Sequence, residues 1–302
     1  MTTTISELRI SPVALGCWPL AGITSGAITE EAAVAVINAA LDAGVNHLDT
    51  AYAYGRGGES ERLIARAIRG QRERVVLATK VGVYWDASGA LKLTGKPELL
   101  CRHFEGSLHR LETDAVELLY FHAPADDAPL AETARFFREV LDAGKTRAVG
   151  VSNLSVAQME AFAAECPFVA CQVRYNWLQR EIEADILPWC CAHNVGVVAY
   201  EPLALGLLTG KFTRDHVFPP NDWRRQSPLF TGEAWTKNLA EVERLRAIAA
   251  RNGCTVAQLA IAWIISRPGV ASALCGAKRP EQIRETAEAM RVAKLLRDFD
   301  AG

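Results

Sequence analysis

The sequence predicts an α/β protein that folds as one (β/α)8 (TIM) barrel domain over residues 1–302. Short apolar runs of strand length alternate with amphipathic stretches of helical period along the whole chain. Most of the apolar runs are nearly continuous, as in parallel strands that are buried on both faces. About eight such units fill the chain, which suits a closed barrel better than an open doubly wound sheet.

The predicted strands are separated by polar or glycine-containing turns and by helical segments. In chain order they are residues 13–18, 45–51, 74–82, 116–123, 146–153, 168–176, 195–203 and 271–278. Two of the intervening helices have recognisable ends. One begins after the N-cap Thr29 and ends at Gly44, and another begins at the N-cap Ser155.

One segment after the seventh strand lacks the alternating pattern. Residues 204–235 contain glycines, prolines, tryptophans and several charges with no clear period. Long irregular loops inside a compact domain are commonly lids or binding loops. We therefore expect this segment to lie over the mouth of the barrel.

The composition excludes several classes of protein. Thirty-three basic and 35 acidic residues give a net charge of −2 with no basic face, so we expect no nucleic-acid or membrane partner. The eight cysteines form no CxxC pairs and the histidines form no HExxH motif, which predicts reduced thiols and no metal site. The first residues resemble no secretion signal, and no apolar stretch reaches about 20 residues, so we expect a cytoplasmic protein.

Polar residues that end apolar runs are informative, because barrels of this kind form their active sites at the carboxyl ends of the strands. Asp49, Lys80 and His122 end the second, third and fourth predicted strands, and Tyr54 follows shortly after Asp49. Taken singly, Asp49 could be a turn cap, His122 a rim histidine and Tyr54 a loop aromatic. A buried ammonium such as Lys80 needs a partner. Neighbouring units would bring all four into one cleft.

These four groups suit acid–base chemistry on a carbonyl group. A phenol is a weak acid, with a reference pKa of about 10, and a neighbouring cation lowers that pKa. We expect Lys80 to lower the pKa of Tyr54 and Asp49 to hold Lys80. His122 would then orient a carbonyl oxygen by a hydrogen bond.

The motifs around these residues resemble those of the aldo-keto reductase family. They are LDTAYAYG, GGESE, LATKVG and LLYFHAP, followed by GVSN at 150–153, AYEPLALGLLTGK from 199 and GAKRPEQIRET from 276. The resemblance covers essentially the whole chain. It implies a catalytic tetrad of Asp49, Tyr54, Lys80 and His122, with Tyr54 as general acid and base. The implied reaction transfers a hydride between a nicotinamide cofactor and an aldehyde, ketone or sugar.

The same resemblance implies a cofactor-binding cleft. Ser152, Asn153 and Gln172 would hold the nicotinamide carboxamide, and Tyr200 would stack on the ring. The other residues implied for the cofactor are Gly16, Cys17, Trp18, Asp49, Glu201, Leu203, Leu208, Gly210, Lys211, Gly276, Ala277, Lys278, Gln282 and Glu285. By themselves, Ser152 and Asn153 could instead be helix N-caps, and LLTGK could be a turn with a solvated lysine.

The predicted substrate site consists of Trp18, Tyr54, Trp85 and His122. Tyr52, Tyr84 and Trp223 are further aromatic candidates, although aromatic residues near a rim are also ordinary loop anchors. The predicted partner is a small-molecule carbonyl compound or sugar, and the sequence indicates no oligomeric state.

Two features bear on the choice of cofactor. YGRGGESE is not a dinucleotide-binding fingerprint, because Ser60 stands where the third glycine is required. Lys278 and Arg279 bring two positive charges to a turn before a helix that begins near Pro280, and a helix N-terminus attracts anions. We therefore expect NADP(H) to be preferred, with NAD(H) possible. Alternatively, both basic side chains point to solvent.

Two other functions fit the sequence. Lys80 at a strand end could be the nucleophile of a Schiff-base barrel lyase, since a desolvated lysine can have the lowered pKa that this role requires. The chain could also be a non-catalytic, cofactor-binding regulatory subunit, because some members of the family are partners of membrane channels.

Overall fold

A closed barrel of eight parallel strands forms the centre of the computed structural model, which describes residues 3–23, 26 and 28–295. The strands of these residues are β1 Thr3–Ile5, β2 Leu8–Ile10, β3 Val13–Gly16, β4 His47–Asp49, β5 Val76–Val81, β6 Val83–Trp85, β7 Leu91–Leu93, β8 Val116–Phe121, β9 Thr146–Ser152, β10 Ala170–Arg174, β11 Gly196–Tyr200 and β12 Val270–Gly276. The barrel order is β3, β4, β5, β8, β9, β10, β11, β12, and β12 pairs with β3. The predicted (β/α)8 fold is confirmed.

Helices pack around this barrel. They are α1 Glu30–Asp42, α2 Glu59–Ala67, α3 Pro97–Leu111, α4 Leu130–Asp142, α5 Val156–Ala163, α6 Ile186–Ala192, α7 Gly232–Arg251, α8 Val256–Ile265, α9 Pro280–Ala287 and α10 Ala289–Leu295. The predicted helix ends agree with the structure: the Thr29 hydroxyl accepts from the Ala32 amide, Gly44 follows α1 with φ 79°, and Ser155 caps α5.

The predicted barrel strands are correct in place and too long at their ends. The second covers His47–Asp49 instead of 45–51, and the seventh covers Gly196–Tyr200 instead of 195–203. After β4 the hydrogen bonds of the ladder continue through the amides of Thr50 and Tyr52, although the regular strand has ended, and after β11 the predicted strand runs on into loop residues. Sequence pattern does not separate a regular strand from such a continuation.

Two antiparallel hairpins are absent from the sequence prediction. The first, β1–β2, packs Ile5, Leu8 and Ile10 against alanines inside the barrel, such as Ala14 and Ala78, and so covers its amino end. The second, β6–β7, extends from the carboxyl end of β5. Each of these strands has only three residues, too few for the periodicity on which the prediction depends.

The irregular segment after β11 is four residues shorter than predicted. Residues 232–235 already belong to α7, and the part before them contains three 3-10 turns, Ala204–Thr209, Trp223–Gln226 and Pro228–Phe230. Phe212, Phe218 and Phe230 pack on one another with ring centroids 5.2 to 5.7 Å apart, which gives the segment a small core of its own. The segment lies at the mouth of the barrel, as predicted.

The cysteines are free thiols, and five of them are buried: Cys17, Cys166, Cys171, Cys190 and Cys275. Among the described helices, none alone is long and apolar enough to cross a membrane, and one pair, α7 with α8, meets the length and composition only together across an 89° bend.

The barrel interior has room for a tyrosine ring because a glycine faces it. A Cβ atom on Gly150 would lie 2.3 Å from Cε1 of Tyr120, well inside van der Waals contact. Tyr120 itself is fully buried. Position 150 therefore requires glycine, because the Tyr120 ring occupies the space that a Cβ atom would need.

We expect Gly150→Ala to destabilise the protein by about 1–3 kcal/mol, because the added methyl group overpacks the barrel against Tyr120. The measurement is the free energy of unfolding in urea. Gly16→Ala is the matched control, since a Cβ there meets Leu274 at an ordinary 3.5 Å. Equal stability of the two variants would contradict this account of Gly150.

Candidate active site

A cavity of about 960 Å³ opens at the carboxyl end of the barrel. Its walls include the last residues of several barrel strands, among them Gly16, Asp49, Ser152 and Tyr200. Tyr54 and His122 also line it. The structure thus brings the chemically active groups predicted from the sequence to one end of the fold.

Lys80 forms the centre of this group. Its Nζ atom donates to a carboxylate oxygen of Asp49, to the carbonyl of Thr50 at 2.8 Å and to the hydroxyl of Tyr54 at 3.2 Å. An ammonium group has three protons, so all three are used. Asp49 and Lys80 are both buried. The His122 ring lies with its centroid 5.9 Å from that of Tyr54.

The loop that carries Tyr54 is fixed by hydrogen bonds that continue the barrel ladder. The amides of Thr50 and Tyr52 donate to the carbonyls of Ala78 and Lys80 at 2.9 and 3.0 Å, so the chain leaving β4 follows β5. Ser60 closes the loop from the other side, where its amide donates to the carbonyl of Tyr54 at 3.2 Å. The residue that breaks the dinucleotide fingerprint therefore anchors the tyrosine loop.

Burial reverses the predicted shift of the tyrosine pKa. Burial raises the pKa of Tyr54, and the positive charge and hydrogen bond of Lys80 lower it by less, so the pKa lies above its usual value. Lys80 lowers this pKa as expected, but the net shift is upward, because burial removes water that would solvate the phenolate. The phenol keeps its proton at neutral pH.

Lys80 and His122 are shifted in opposite directions. Burial lowers the pKa of Lys80, but the charge of Asp49 and the hydrogen bonds outweigh it, so the pKa is raised and the ammonium persists. Burial, assisted by the positive charge of Lys80, lowers the pKa of His122 to about 3. The imidazole is therefore neutral at physiological pH.

Gln172 reaches across the barrel to the same carboxylate. Its Nε2 atom donates to Oδ2 of Asp49 at 2.8 Å. Because β10 and β4 lie four strands apart in a barrel of eight, the two residues come from opposite walls. Both carboxylate oxygens of Asp49 are thus hydrogen-bonded, one to Lys80 and one to Gln172.

The residues predicted for the carboxamide form one polar wall of the cavity. The Tyr200 hydroxyl donates to the Asn153 side chain at 3.0 Å, and the Asn153 amide donates to the Ser152 hydroxyl at 3.0 Å and to the His122 carbonyl at 3.2 Å. Ser155 caps helix α5, so the alternative interpretation of Ser152 and Asn153 as N-caps is wrong.

Several cations gather at another part of the cavity, where Lys211, Arg224, Lys278 and Arg279 all line the wall. Burial and the charges of Arg224 and Arg279 lower the pKa of Lys211, and Arg224 itself pairs with the carboxylate of Asp222. Lys278 also donates to the carbonyl of Gly26 at 2.5 Å. Such a cluster favours an anion.

The amide donors expected at the start of α9 are only partly free. The side-chain oxygen of Gln282 accepts from the backbone amides of Lys278 and Arg279 at 2.8 and 3.1 Å. The helix therefore caps itself, and the side chains rather than these amides face the cavity. Six further residues predicted for the cofactor also line the cavity: Glu201, Leu203, Gly276, Ala277, Gln282 and Glu285.

Some predicted site residues lie away from the cavity. Cys17 and Leu208 are buried in the apolar core, and the carbonyl of Gly210 accepts from Arg246 at 2.6 Å. The Trp85 indole donates to the carbonyl of Ala53 at 2.9 Å. Tyr52 and Tyr84 both pack on His103. These aromatic residues anchor loops, which was the alternative interpretation.

Other residues of the cavity wall were not predicted. They include Pro19, Ala53, Val83, Leu91, Leu205, Gly206, Thr209, Arg224 and Thr286. Val83 and Leu91 belong to the β6–β7 hairpin, whose turn residues Asp86 and Gly89 were the signal that could have revealed it. Arg224 lies in the irregular segment, where no hydrophobic period indicates which way a side chain points. Among residues 3–23, 26 and 28–295, no group of three metal-ligating side chains occurs.

The sequence profile of the Aldo/keto reductase family matches residues 12–299. The chain belongs to this family. The predicted family is thus confirmed, and with it the enzyme class, a nicotinamide-dependent oxidoreductase.

Three members of the family illustrate which proteins this chain is similar to. The NADH-specific methylglyoxal reductase of Escherichia coli is 32% identical, over 98% of this chain and 94% of its own length. The glycerol dehydrogenase AKR11B4 of Gluconobacter oxydans has a solved structure with a TM-score of 0.89 and 34% identity, covering 98% and 94%. An aldo-keto reductase of Klebsiella pneumoniae in complex with NADPH has a TM-score of 0.74 and 31% identity, covering 96% and 90%.

We expect Lys80→Met to reduce the free energy of unfolding by about 3–5 kcal/mol, because Asp49 would remain inside the barrel without its cation. Chemical denaturation measures this change. Lys145→Met is the matched control, since Lys145 pairs with Glu105 at the exposed surface and such pairs contribute at most about 1 kcal/mol. A loss no larger than that of the control would contradict the buried ion pair.

Proposed function

We propose that this chain transfers a hydride between NADP(H) and a small aldehyde, ketone or sugar, with Tyr54 as the proton donor and acceptor. The hydrogen bond from Lys80 to the Tyr54 hydroxyl is the observation that carries this proposal. The oxygen of Tyr54 accepts that bond, so its own proton is directed elsewhere. The open direction is the cavity.

Charge explains why the tyrosine rather than the histidine supplies the proton. His122 is neutral at physiological pH, because burial and Lys80 hold its pKa at about 3. Its imidazole suits a hydrogen bond to a carbonyl oxygen and lacks the extra proton of an imidazolium ion. Tyr54 keeps its proton until an alkoxide, a much stronger base, develops beside it. Lys80 then stabilises the phenolate that remains.

The cavity fits a nicotinamide dinucleotide in the chemistry of its walls. Ser152, Asn153 and Gln172 offer hydroxyl and amide groups that match a carboxamide, and Tyr200 offers a flat aromatic face. Lys211 and Arg279 offer positive charge to an anion such as a pyrophosphate, whereas Arg224 is already paired with Asp222. When bound, the cofactor supplies or accepts the hydride, and the residues of the chain orient the reactants.

The preference for the phosphorylated cofactor is part of the proposal. Lys278 and Arg279 line the same cavity as Lys211 and add positive charge that would attract a 2′-phosphate. The relatives include one named as NADH-specific and one bound to NADPH, so the family accepts both cofactors. The cationic wall of this chain favours NADP(H), with NAD(H) as the weaker alternative.

The substrate side of the cavity is largely apolar. It is lined by Trp18, Ala53, Val83, Leu91 and Trp223. The Trp18 ring contacts the Tyr54 ring, with centroids 5.0 Å apart. Three of the residues predicted for the substrate site line this cavity: Trp18, Tyr54 and His122. The names methylglyoxal reductase and glycerol dehydrogenase among the relatives support a small substrate.

The Schiff-base alternative finds no support in these contacts. A nucleophilic lysine needs a free amine and a lowered pKa, whereas all three protons of Lys80 are engaged and its pKa is raised. The regulatory alternative differs from the proposal only in turnover. Oxidation of NADPH with a panel of aldehydes, ketones and aldoses distinguishes the two.

We expect Tyr54→Phe to lower kcat for carbonyl reduction by about 10²- to 10⁴-fold, because general acid catalysis is lost while the ring is retained. Steady-state assays measure this loss, and cofactor binding should be nearly unchanged. Tyr84→Phe, on the neighbouring hairpin outside the cavity wall, serves as the control. Turnover of Tyr54→Phe close to that of the control would mean that another group provides the proton.

We expect a lower dissociation constant for NADPH than for NADH, and Lys278→Ala should weaken NADPH binding much more than NADH binding. A charge-assisted contact to the 2′-phosphate exists only with NADPH. Fluorescence titration of both cofactors measures the four constants, and Lys237→Ala, an exposed lysine of α7, controls for the change in net charge. An equal or lower dissociation constant for NADH would contradict the preference.

A further inference from the structure

A buried ion pair lies next to the loop that carries Tyr54, outside the cavity wall, and the mechanism above does not use it. Glu61 of α2 is fully buried, and its Oε2 atom accepts from Nε of Arg110 on α3 at 2.7 Å. The other carboxylate oxygen accepts from the hydroxyl of Thr79 at 2.8 Å. Thr79 precedes Lys80 on β5, so the pair is tied to the strand that carries the central ammonium.

Helix α3 holds Tyr52, which belongs to the same loop as Tyr54. His103 and Arg110 lie about two turns apart on this helix and therefore share a face. The guanidinium of Arg110 lies 4.6 Å from the centroid of the Tyr52 ring, and the His103 ring stacks on that ring with centroids 4.2 Å apart. Gly106 lies close to both partners, since a Cβ atom there would be 3.3 Å from Nη1 of Arg110 and 3.4 Å from Cε2 of Tyr52.

The end of the loop approaches the same guanidinium group. Gly58 immediately precedes α2 with φ 74°, and a Cβ atom on it would lie 2.2 Å from Nε of Arg110. Only glycine permits this close approach. Arg110 thus contacts the loop on both sides of Tyr54, at Tyr52 before it and at Gly58 after it.

Stability alone does not explain a buried ion pair at this place. Removal of both charges from water offsets much of their attraction, and apolar side chains of similar volume can be equally stable. A guanidinium differs from such side chains in shape, because a planar group held by a carboxylate stacks on an aromatic ring in a defined orientation. Here the pair of Glu61 and Arg110 gives the Tyr52 ring that orientation.

We propose that Arg110 is a positioning residue, which fixes the loop through Tyr52 and so keeps the Tyr54 hydroxyl within hydrogen-bonding distance of Lys80. The distance from Nζ of Lys80 to this hydroxyl is 3.2 Å, at the long end of the range for such bonds, so a small movement of the loop would break the bond. Arg110, Glu61 and Tyr52 do not line the cavity. Their effect should therefore fall on kcat and not on the binding of substrate or cofactor.

The first test is Arg110→Lys, which keeps a cation beside Glu61 but removes the planar group. We expect kcat for carbonyl reduction to fall about tenfold, because a misplacement of roughly 1 Å in an active site can lower a rate by up to about 10²-fold. The KM for the carbonyl compound, the dissociation constant of NADPH and the melting temperature should stay close to those of the unaltered protein.

Arg72→Lys is the matched control. Arg72 precedes β5 and donates to the carboxylate of Glu117 at 2.7 Å, so this pair is tied to the amino end of the same strand, away from the Tyr54 loop. The control should keep the kcat of the unaltered protein.

The second test approaches the same contact from the loop. Tyr52→Leu should lower kcat about as far as Arg110→Lys does, and Tyr52→Phe, which keeps the ring, should restore it. The double variant of Arg110→Lys and Tyr52→Leu should have the kcat of Tyr52→Leu alone, because both substitutions remove one contact.

The proposal fails if Arg110→Lys has the kcat of the control, if KM or the NADPH dissociation constant changes in place of kcat, or if the two substitutions act additively. Should Arg110→Lys not fold, equal kcat values for Tyr52→Leu and Tyr52→Phe would overturn it. The inference rests on the proposed role of Tyr54, which Tyr54→Phe tests in parallel. Full turnover by Tyr54→Phe would overturn the proposed function, whereas its loss together with an unaffected Arg110→Lys overturns only this inference.

Discussion

The buried ion pair of Lys80 and Asp49 is the interaction on which the site depends. Two charges inside a protein are tolerated only when their remaining hydrogen-bonding capacity is also satisfied. Here the ammonium uses all three protons and the carboxylate uses both oxygens. The third proton of the ammonium fixes Tyr54. The geometry of the proposed catalytic site thus follows from the hydrogen bonds that a buried charge requires.

The hydrogen bonds of this ion pair can all form because the barrel is closed. Asp49 and Gln172 are 123 residues apart in the chain and come from opposite walls, yet one hydrogen bond joins them. Small side chains such as Ala78 and Ala148 leave space at the amino end of the interior, and the hairpin β1–β2 covers that end. The polar groups are therefore reached only from the carboxyl end, where the cavity opens.

The cavity combines two electrostatic environments. Around Tyr54 and His122 burial dominates, so the phenol keeps its proton and the imidazole stays neutral. Around Lys211 burial lowers the lysine pKa, and the positive charges of Arg224 and Arg279 lower it further. One part of the cavity thus suits an uncharged carbonyl group and the other an anion, which is the division that a nicotinamide dinucleotide and its substrate require.

The sequence alone predicted the architecture, because about eight apolar runs of strand length alternate with helical segments, and its motifs indicated the family by resemblance. It also placed Asp49 and Lys80 at strand ends, where chain order makes them neighbours. Only the tertiary structure decided that Gln172 bonds to Asp49 across the barrel, that burial outweighs Lys80 in setting the pKa of Tyr54, and that Trp85 turns away from the cavity. Contacts across a closed barrel and the loss of solvent depend on residues distant in the chain, and no local pattern encodes them.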